Sequence, residues 1–258
     1  MDAGSRWFKA GIEVLEKIQQ TQSDAIEQAS QICAEAIGAG GLVHLFGTGH
    51  SRIPVEEMFP RYGSYPGFHP IVELSMTFHT QVVGANGQRQ AMFIERVPGL
   101  AEVILSNFKF APKDALIAFS SGGRGAVTVE VARGARKRGL RVIAVTSVAQ
   151  SKAADVDPAV GARLMDEADV VIDLCTPPAD ALIRLDGLEE TPVGPGSTIA
   201  AVAIADAIKS RTAELLVAAG TMTPVITSAT EVGSERSQEL FDAAYAEHAR
   251  RAARTLAT

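Results

Sequence analysis

Apolar residues recur at three- and four-residue spacing through Trp7, Phe8, Ile12, Leu15 and Ile18, and again through Ile26, Ala29, Ile32, Cys33 and Ile37. That period predicts a long amphipathic helix over about 5–38, stopped by the Gly38-Ala-Gly-Gly turn. Its apolar stripe needs a cover, which we expect from both the body of the fold and a second copy of the chain. A short apolar strand follows at 42–46, then a turn of small residues, then a helix capped by Ser51 with Pro54 in its first turn, running to about Pro60. An extended segment is predicted at 69–74, and no clear period emerges from 75 to 97.

Downstream the pattern sharpens. Residues 114–120 and 141–147 are near-continuous apolar strands, and 126–139 between them is an amphipathic helix ending in glycine. A further strand is predicted at 168–174, a long and very apolar helix at 197–219, and a charged C-terminal helix at about 233–255. Apolar strands alternating with helices imply an α/β fold, a three-layer α-β-α sandwich with a mainly parallel five-stranded sheet. No linker or repeat divides the chain, so residues 1–258 are read as one domain.

The composition narrows the class. Hydrophobic residues make up 47% and charged residues 21% of the chain, the balance of a globular protein. With 24 basic and 30 acidic residues the net charge is −6, and no basic stripe stands out, which argues against nucleic acid as a partner. Cys33 and Cys175 lie far apart in apolar surroundings and are read as buried free thiols. No segment has the pattern of a signal peptide or a membrane span, so a cytoplasmic protein is expected, with no membrane partner.

Three predicted strand ends run into small polar residues: Gly47-Thr-Gly-His-Ser51, Ser120-Ser-Gly-Gly-Arg-Gly125, and Thr146-Ser147. In an open parallel sheet, ligands bind beyond the carboxyl ends of the strands. Glycine lets the backbone approach a ligand, and hydroxyls and free N–H groups donate to anion oxygens. Gly47, Thr48, Gly49, Ser51, Ser120, Ser121, Gly123, Arg124, Thr146 and Ser147 are therefore candidates to hold a phosphate without a metal. Ser197 and Thr198, opening the long apolar helix, either cap it or meet the ligand. Asp180 is read as fixing a loop or capping a helix.

These motifs resemble the SIS (sugar isomerase) domain family, through FGTGHS, EEMF at 56–59, SGGRG, VTS, PPADAL at 177–182 and GPGSTIAAVAI at 194–204. The resemblance covers roughly residues 5–225 and is nearest to SIS proteins described as phosphosugar-binding or phosphoheptose-isomerase-like. It implies a flavodoxin-like or Rossmann-like SIS fold and a phosphorylated sugar as ligand. It also implies a homodimer or homotetramer. Ser51 and Ser120 match the family's phosphate-binding serines, whereas Gly122 stands where the second turn has a further serine, and Gly125 where an asparagine is usual.

Aldose–ketose isomerisation moves a proton between adjacent carbons through an enediol, which needs a base and a donor to the carbonyl. The candidates are Glu56 and Glu57, one turn into the helix after the cradle, His50 within it, and His79, near a position where the family's nearest form keeps a histidine. The heptose-phosphate isomerases have a metal-binding histidine where this chain has Glu57, so neither metal nor other cofactor is expected. The alternatives are a non-catalytic phosphosugar sensor and a lyase resembling the muramic-acid phosphate etherase. Against the latter, Phe59, Pro60 and Arg61 stand where its carboxylate would be. Of the other histidines, His44 is expected in the core, His69 in a loop and His248 facing solvent.

Overall fold

The computed structural model describes residues 1–77 and 87–256. Five parallel strands form the main sheet: β1 (Val43–Gly47), β2 (Phe68–Pro70), β3 (Ala115–Phe119), β4 (Arg141–Thr146) and β5 (Val170–Asp173), in the order β2-β1-β3-β4-β5. Strands β6 (Ala181–Ile183) and β7 (Val193–Pro195) pair as a separate antiparallel hairpin that the hydropathy pattern did not reveal. Three residues each are too few to show a period. The helices are α1 (Ala3–Thr21), α2 (Ser23–Gly38), α3 (Ile53–Met58), α4 (Leu74–Thr77), α5 (Gly87–Ile94), α6 (Leu100–Leu105), α7 (Ala126–Lys137), α8 (Val148–Lys152), α9 (Ser197–Ala218), α10 (Ala229–Val232) and α11 (Ser234–Leu256).

The central strands are apolar throughout because both sheet faces are covered. Successive side chains point to opposite faces. Val43, Leu45, Ile117, Phe119, Ile143 and Val145 therefore share a core with α1, α2 and α9. Phe46, Leu116, Ala118, Val142 and Ala144 share the other with α6 and α7. The charged residues of α9 lie toward its middle and end, where Lys209, though buried, pairs with Asp206 at 2.8 Å and donates to the Glu57 carbonyl at 3.1 Å.

The single helix expected over 5–38 is two helices, broken at Gln22. The Thr21 and Ser23 hydroxyls donate back to the carbonyls of Lys17 and Gln19, a bond that competes with the helical ladder. The Gln22 side chain then accepts the Asp173 N–H at 2.9 Å, tying the break to the end of β5. His69 lies on β2 rather than in a loop, and β2 ends at Pro70, which cannot donate to a ladder. His248 is half-buried, packed on Phe59 and His69, because α11 folds back along the edge of the sheet. Cys33 and Cys175 are both buried and free, and burial pushes the Cys33 thiol up to about 12.

Candidate functional site

The strand order reverses between β1 and β3, and beyond the carboxyl ends of these strands lies a cavity of about 280 Å³. Ser51, Ser120, Ser121, Gln150, Ser197 and Thr198 give it polar edges, and Phe119, Val145, Leu174 and Ala201 give it an apolar floor. His50, Asp180 and Pro195 complete the wall. Among the described residues this lining has no lysine or arginine, so the donors it offers are hydroxyls, the Gln150 amide, the His50 ring and main-chain N–H groups.

Each turn is built by glycine at a close approach. A Cβ on Gly47 would overlap the Ser51 carbonyl oxygen, because the chain folds straight from β1 into a 3-10 turn over Gly49–Arg52. Ser51 consequently sits inside that turn and does not cap α3. Its main-chain N–H reaches the Thr48 carbonyl at 3.0 Å, while its hydroxyl makes no hydrogen bond among the described residues. Gly49 takes φ +54° at the start of the turn. In the second loop Gly123 takes φ +59°, and its N–H donates to Ser120 Oγ at 3.1 Å. The Ser121 hydroxyl donates to Gln150 Oε1 at 2.7 Å, which presents the Gln150 amide at the cavity wall.

Other candidates lie elsewhere. Thr48 turns from the cavity and donates to Glu95 Oε2 at 2.9 Å. Thr146 and Ser147 are fully buried. Thr146 donates to the Ser121 carbonyl, and Ser147 donates to the Thr176 carbonyl and caps α8. They shape the loop at 120–125 from behind. Arg124 lines a neighbouring polar cavity with Glu95, Arg96, Asp155 and Asp157, separated from the first by Ser120, which touches both. Its Nε is buried without a hydrogen-bond partner among the described residues.

Of the proton-transfer candidates, His50 reaches the cavity. Glu56 is exposed and paired with Arg52 at 2.7 Å, and Glu57 is paired with Arg61 at 2.5 Å and with Lys209 at 3.7 Å, so both stand outside the lining. His79 lies outside the described residues. No group of three or more histidine, cysteine, aspartate or glutamate side chains capable of holding a metal occurs among the described residues.

Asp180 carries the most constrained geometry at the cavity. Its backbone is left-handed, at φ +62°. From there Oδ1 accepts the N–H groups of Ser197 at 2.7 Å and Gly196 at 3.2 Å, and Oδ2 accepts the Ser197 hydroxyl at 2.7 Å. The carboxylate caps α9 from the residue before β6, so Ser197 is committed to Asp180 and Thr198 keeps a free hydroxyl among the described residues. Gln150 and Glu95 escaped the sequence reading, since their roles depend on contacts 29 and 47 residues away.

Residues 6–147 match the SIS domain family, and the chain belongs to that family, a phosphosugar-binding superfamily. It is 32% identical to a UPF0309 protein of Streptomyces coelicolor over 86% of this chain and 87% of that one. It is 31% identical to a UPF0309 protein of Listeria monocytogenes over 90% of this chain and 91% of that one. A phosphoheptose isomerase of Neisseria gonorrhoeae superposes with a TM-score of 0.46 at 16% identity, over 79% of this chain and 95% of that one. No helix among the described residues is long and apolar enough to cross a membrane.

Proposed function

We propose that the chain binds a phosphorylated sugar in the cavity at the β1–β3 switch point and isomerises it between aldose and ketose. The observation that carries the binding reading is the convergence of Ser51, Ser120 and Ser121 on one cavity, all three on two turns built by glycines at positive φ or at close approach. The Ser51 and Ser120 hydroxyls and the main-chain N–H groups of Ser121 and Gly122 receive the phosphate, as hydroxyl and amide donors do in nests without a metal. For turnover, His50 moves the proton between the two carbons and the Thr198 hydroxyl donates to the carbonyl. Two copies of the chain associate through α1, whose Phe8 and Ile12 are exposed at 67% and 55%.

A second reading is favoured by one observation. Glu56 and Glu57 are both held in ion pairs outside the cavity. A chain whose candidate bases are so engaged suits a sensor that binds a phosphosugar without converting it. The deciding experiment is thermal stabilisation by a panel of sugar phosphates and their unphosphorylated parents, followed by NMR of each stabilising ligand in D₂O with the protein present. Exchange of the α-proton or conversion to the isomer, lost in His50→Gln with binding retained, supports the isomerase. Stabilisation without exchange leaves the sensor, and stabilisation by no phosphosugar removes both.

A further inference from the structure

The cavity has two places suited to an anion, and the chain fills one of them itself. The first is the wall formed by Ser51, Ser120 and Ser121, which contains no acidic side chain. The second is the N-terminus of α9, a helix of 22 residues whose first N–H groups and partial positive charge favour an anion. There the Asp180 carboxylate already takes the N–H groups of Gly196 and Ser197 and the Ser197 hydroxyl.

A carboxylate offers about four acceptor positions, and these three donors leave roughly one free. A hydroxyl carries the proton that this position can accept. A second phosphate or a carboxylate carries none, and it would stand against Asp180 with no lysine or arginine among the described lining residues to offset the repulsion.

We propose that Asp180 is a specificity-determining residue: it accepts a hydrogen bond from a hydroxyl at the uncharged end of the ligand and excludes sugar phosphates that carry a second anionic group at that end. The proposal rests on the phosphosugar reading given above, and it holds whether or not the ligand is converted. The ligand's one phosphate lies at the serine wall and its polyol end at α9.

The test is calorimetric titration with ligand pairs that differ in the end group: glucose 6-phosphate against 6-phosphogluconate, fructose 6-phosphate against fructose 1,6-bisphosphate, and ribulose 5-phosphate against ribulose 1,5-bisphosphate. The wild-type chain, Asp180→Asn and Asp180→Gly are compared. Glycine and asparagine are the residues best able to adopt φ +62°, so both variants keep the backbone, and circular dichroism checks that they fold.

In each pair that binds, the singly phosphorylated member is expected to bind wild type at least about tenfold more tightly, and the ratio to fall to within about threefold in both variants. Equal or tighter wild-type binding of the doubly anionic member overturns the proposal, as does a ratio unchanged in folded variants. Binding of none of the six ligands by folded wild-type chain is a separate result: it removes the phosphosugar reading and the proposal with it.

Discussion

The imidazoles of His44 and His69 face each other across the β1–β2 register, their Nδ1 atoms 3.3 Å apart. His44 Nε2 lies 3.4 Å from Asp114 Oδ2, so His44 faces the carboxylate with one ring nitrogen and His69 with the other. Phe108 and Phe110 pack against the pair, and His248 of α11 stacks on His69.

This cluster makes stability fall on acidification. Burial, then the neighbouring His44 and His248, holds His69 down at about 4, with Asp114 pulling the other way. An unfolded histidine titrates near 6.5, so below that pH the unfolded chain binds a proton that the native His69 refuses. The loss runs from pH 6.5 to 4 and reaches about 3 kcal/mol for His69 at full effect. His248, lowered by burial and by Arg251, adds to it in the same direction. Burial pushes Asp114 up, yet hydrogen bonds from His44 and from the N–H groups of Ala111 and Leu42 leave it below the usual carboxylate range, so its contribution is lost at lower pH still. Urea midpoints at pH 7.5 and 5 are expected to differ markedly in wild type and much less in His69→Phe.

Gly47→Ala is expected to destabilise the fold and close the cradle. The added methyl would overlap the Ser51 carbonyl oxygen and lie 2.7 Å from its carbon, both of them backbone atoms that have no rotamer to yield. A cost of about 3 kcal/mol follows from overpacking at such a point. Gly49→Ala is the comparison: its Cβ meets open space, and the φ of +54° alone sets a cost of about 1 kcal/mol. Thermal melts should rank wild type, then Gly49→Ala, then Gly47→Ala, and sugar-phosphate binding should be lost in Gly47→Ala.

Much of this architecture was legible because its causes are local. The β3-α7-β4 unit follows from apolar runs flanking an amphipathic helix, and the turn at 47–51 from the cluster of small residues after β1. What escaped depends on distant partners. The break between α1 and α2 is held by the Gln22 side chain on Asp173, 151 residues away, and no periodicity records it. Thr146 and Ser147 look like further ligand hydroxyls, but β4 lies between β3 and β5, and the loops on either side take both hydroxyls inward. Glu57 falls in the EEMF motif that carries the resemblance, while its charge is drawn toward Arg61, one turn on, and toward Lys209, 152 residues on.

Trp7 governs the hairpin that carries the far wall of the cavity. Its Nε1 donates to the Pro195 carbonyl at 3.3 Å, and a Cβ on Gly194, at φ +76°, would come 2.5 Å from the indole. The indole therefore fills the notch that glycine leaves, and Arg6 adds a bond to the Arg184 carbonyl. Trp7→Ala is expected to cost about 2 kcal/mol and to speed amide hydrogen exchange over 181–195 ahead of the sheet. Binding of a sugar phosphate should weaken with it, since Asp180, just before that hairpin, and Pro195, at its end, both line the cavity.

Arg251 fastens the C-terminal helix α11 to the far end of the sheet. The side chain is buried, 4% exposed, and its Nη1 donates to the carbonyls of Ile37 at 2.9 Å and Gly41 at 2.8 Å. Those carbonyls belong to the end of α2 and the turn beyond it, where helical partners have run out and a cation is favourable. Glu247, one turn earlier on α11, accepts from Nε at 2.6 Å and balances the buried charge. Arg251→Met keeps most of the volume and removes every donor, which strips the Gly41 carbonyl of its side-chain partner and leaves the Ile37 carbonyl with the Gly40 N–H and Glu247 with Arg250. A loss of about 3 kcal/mol is expected. Because the sheet core does not depend on this contact, hydrogen exchange should quicken along 234–256 first. Uniform acceleration across α9 and the strands would instead mean that α11 folds as one unit with the core.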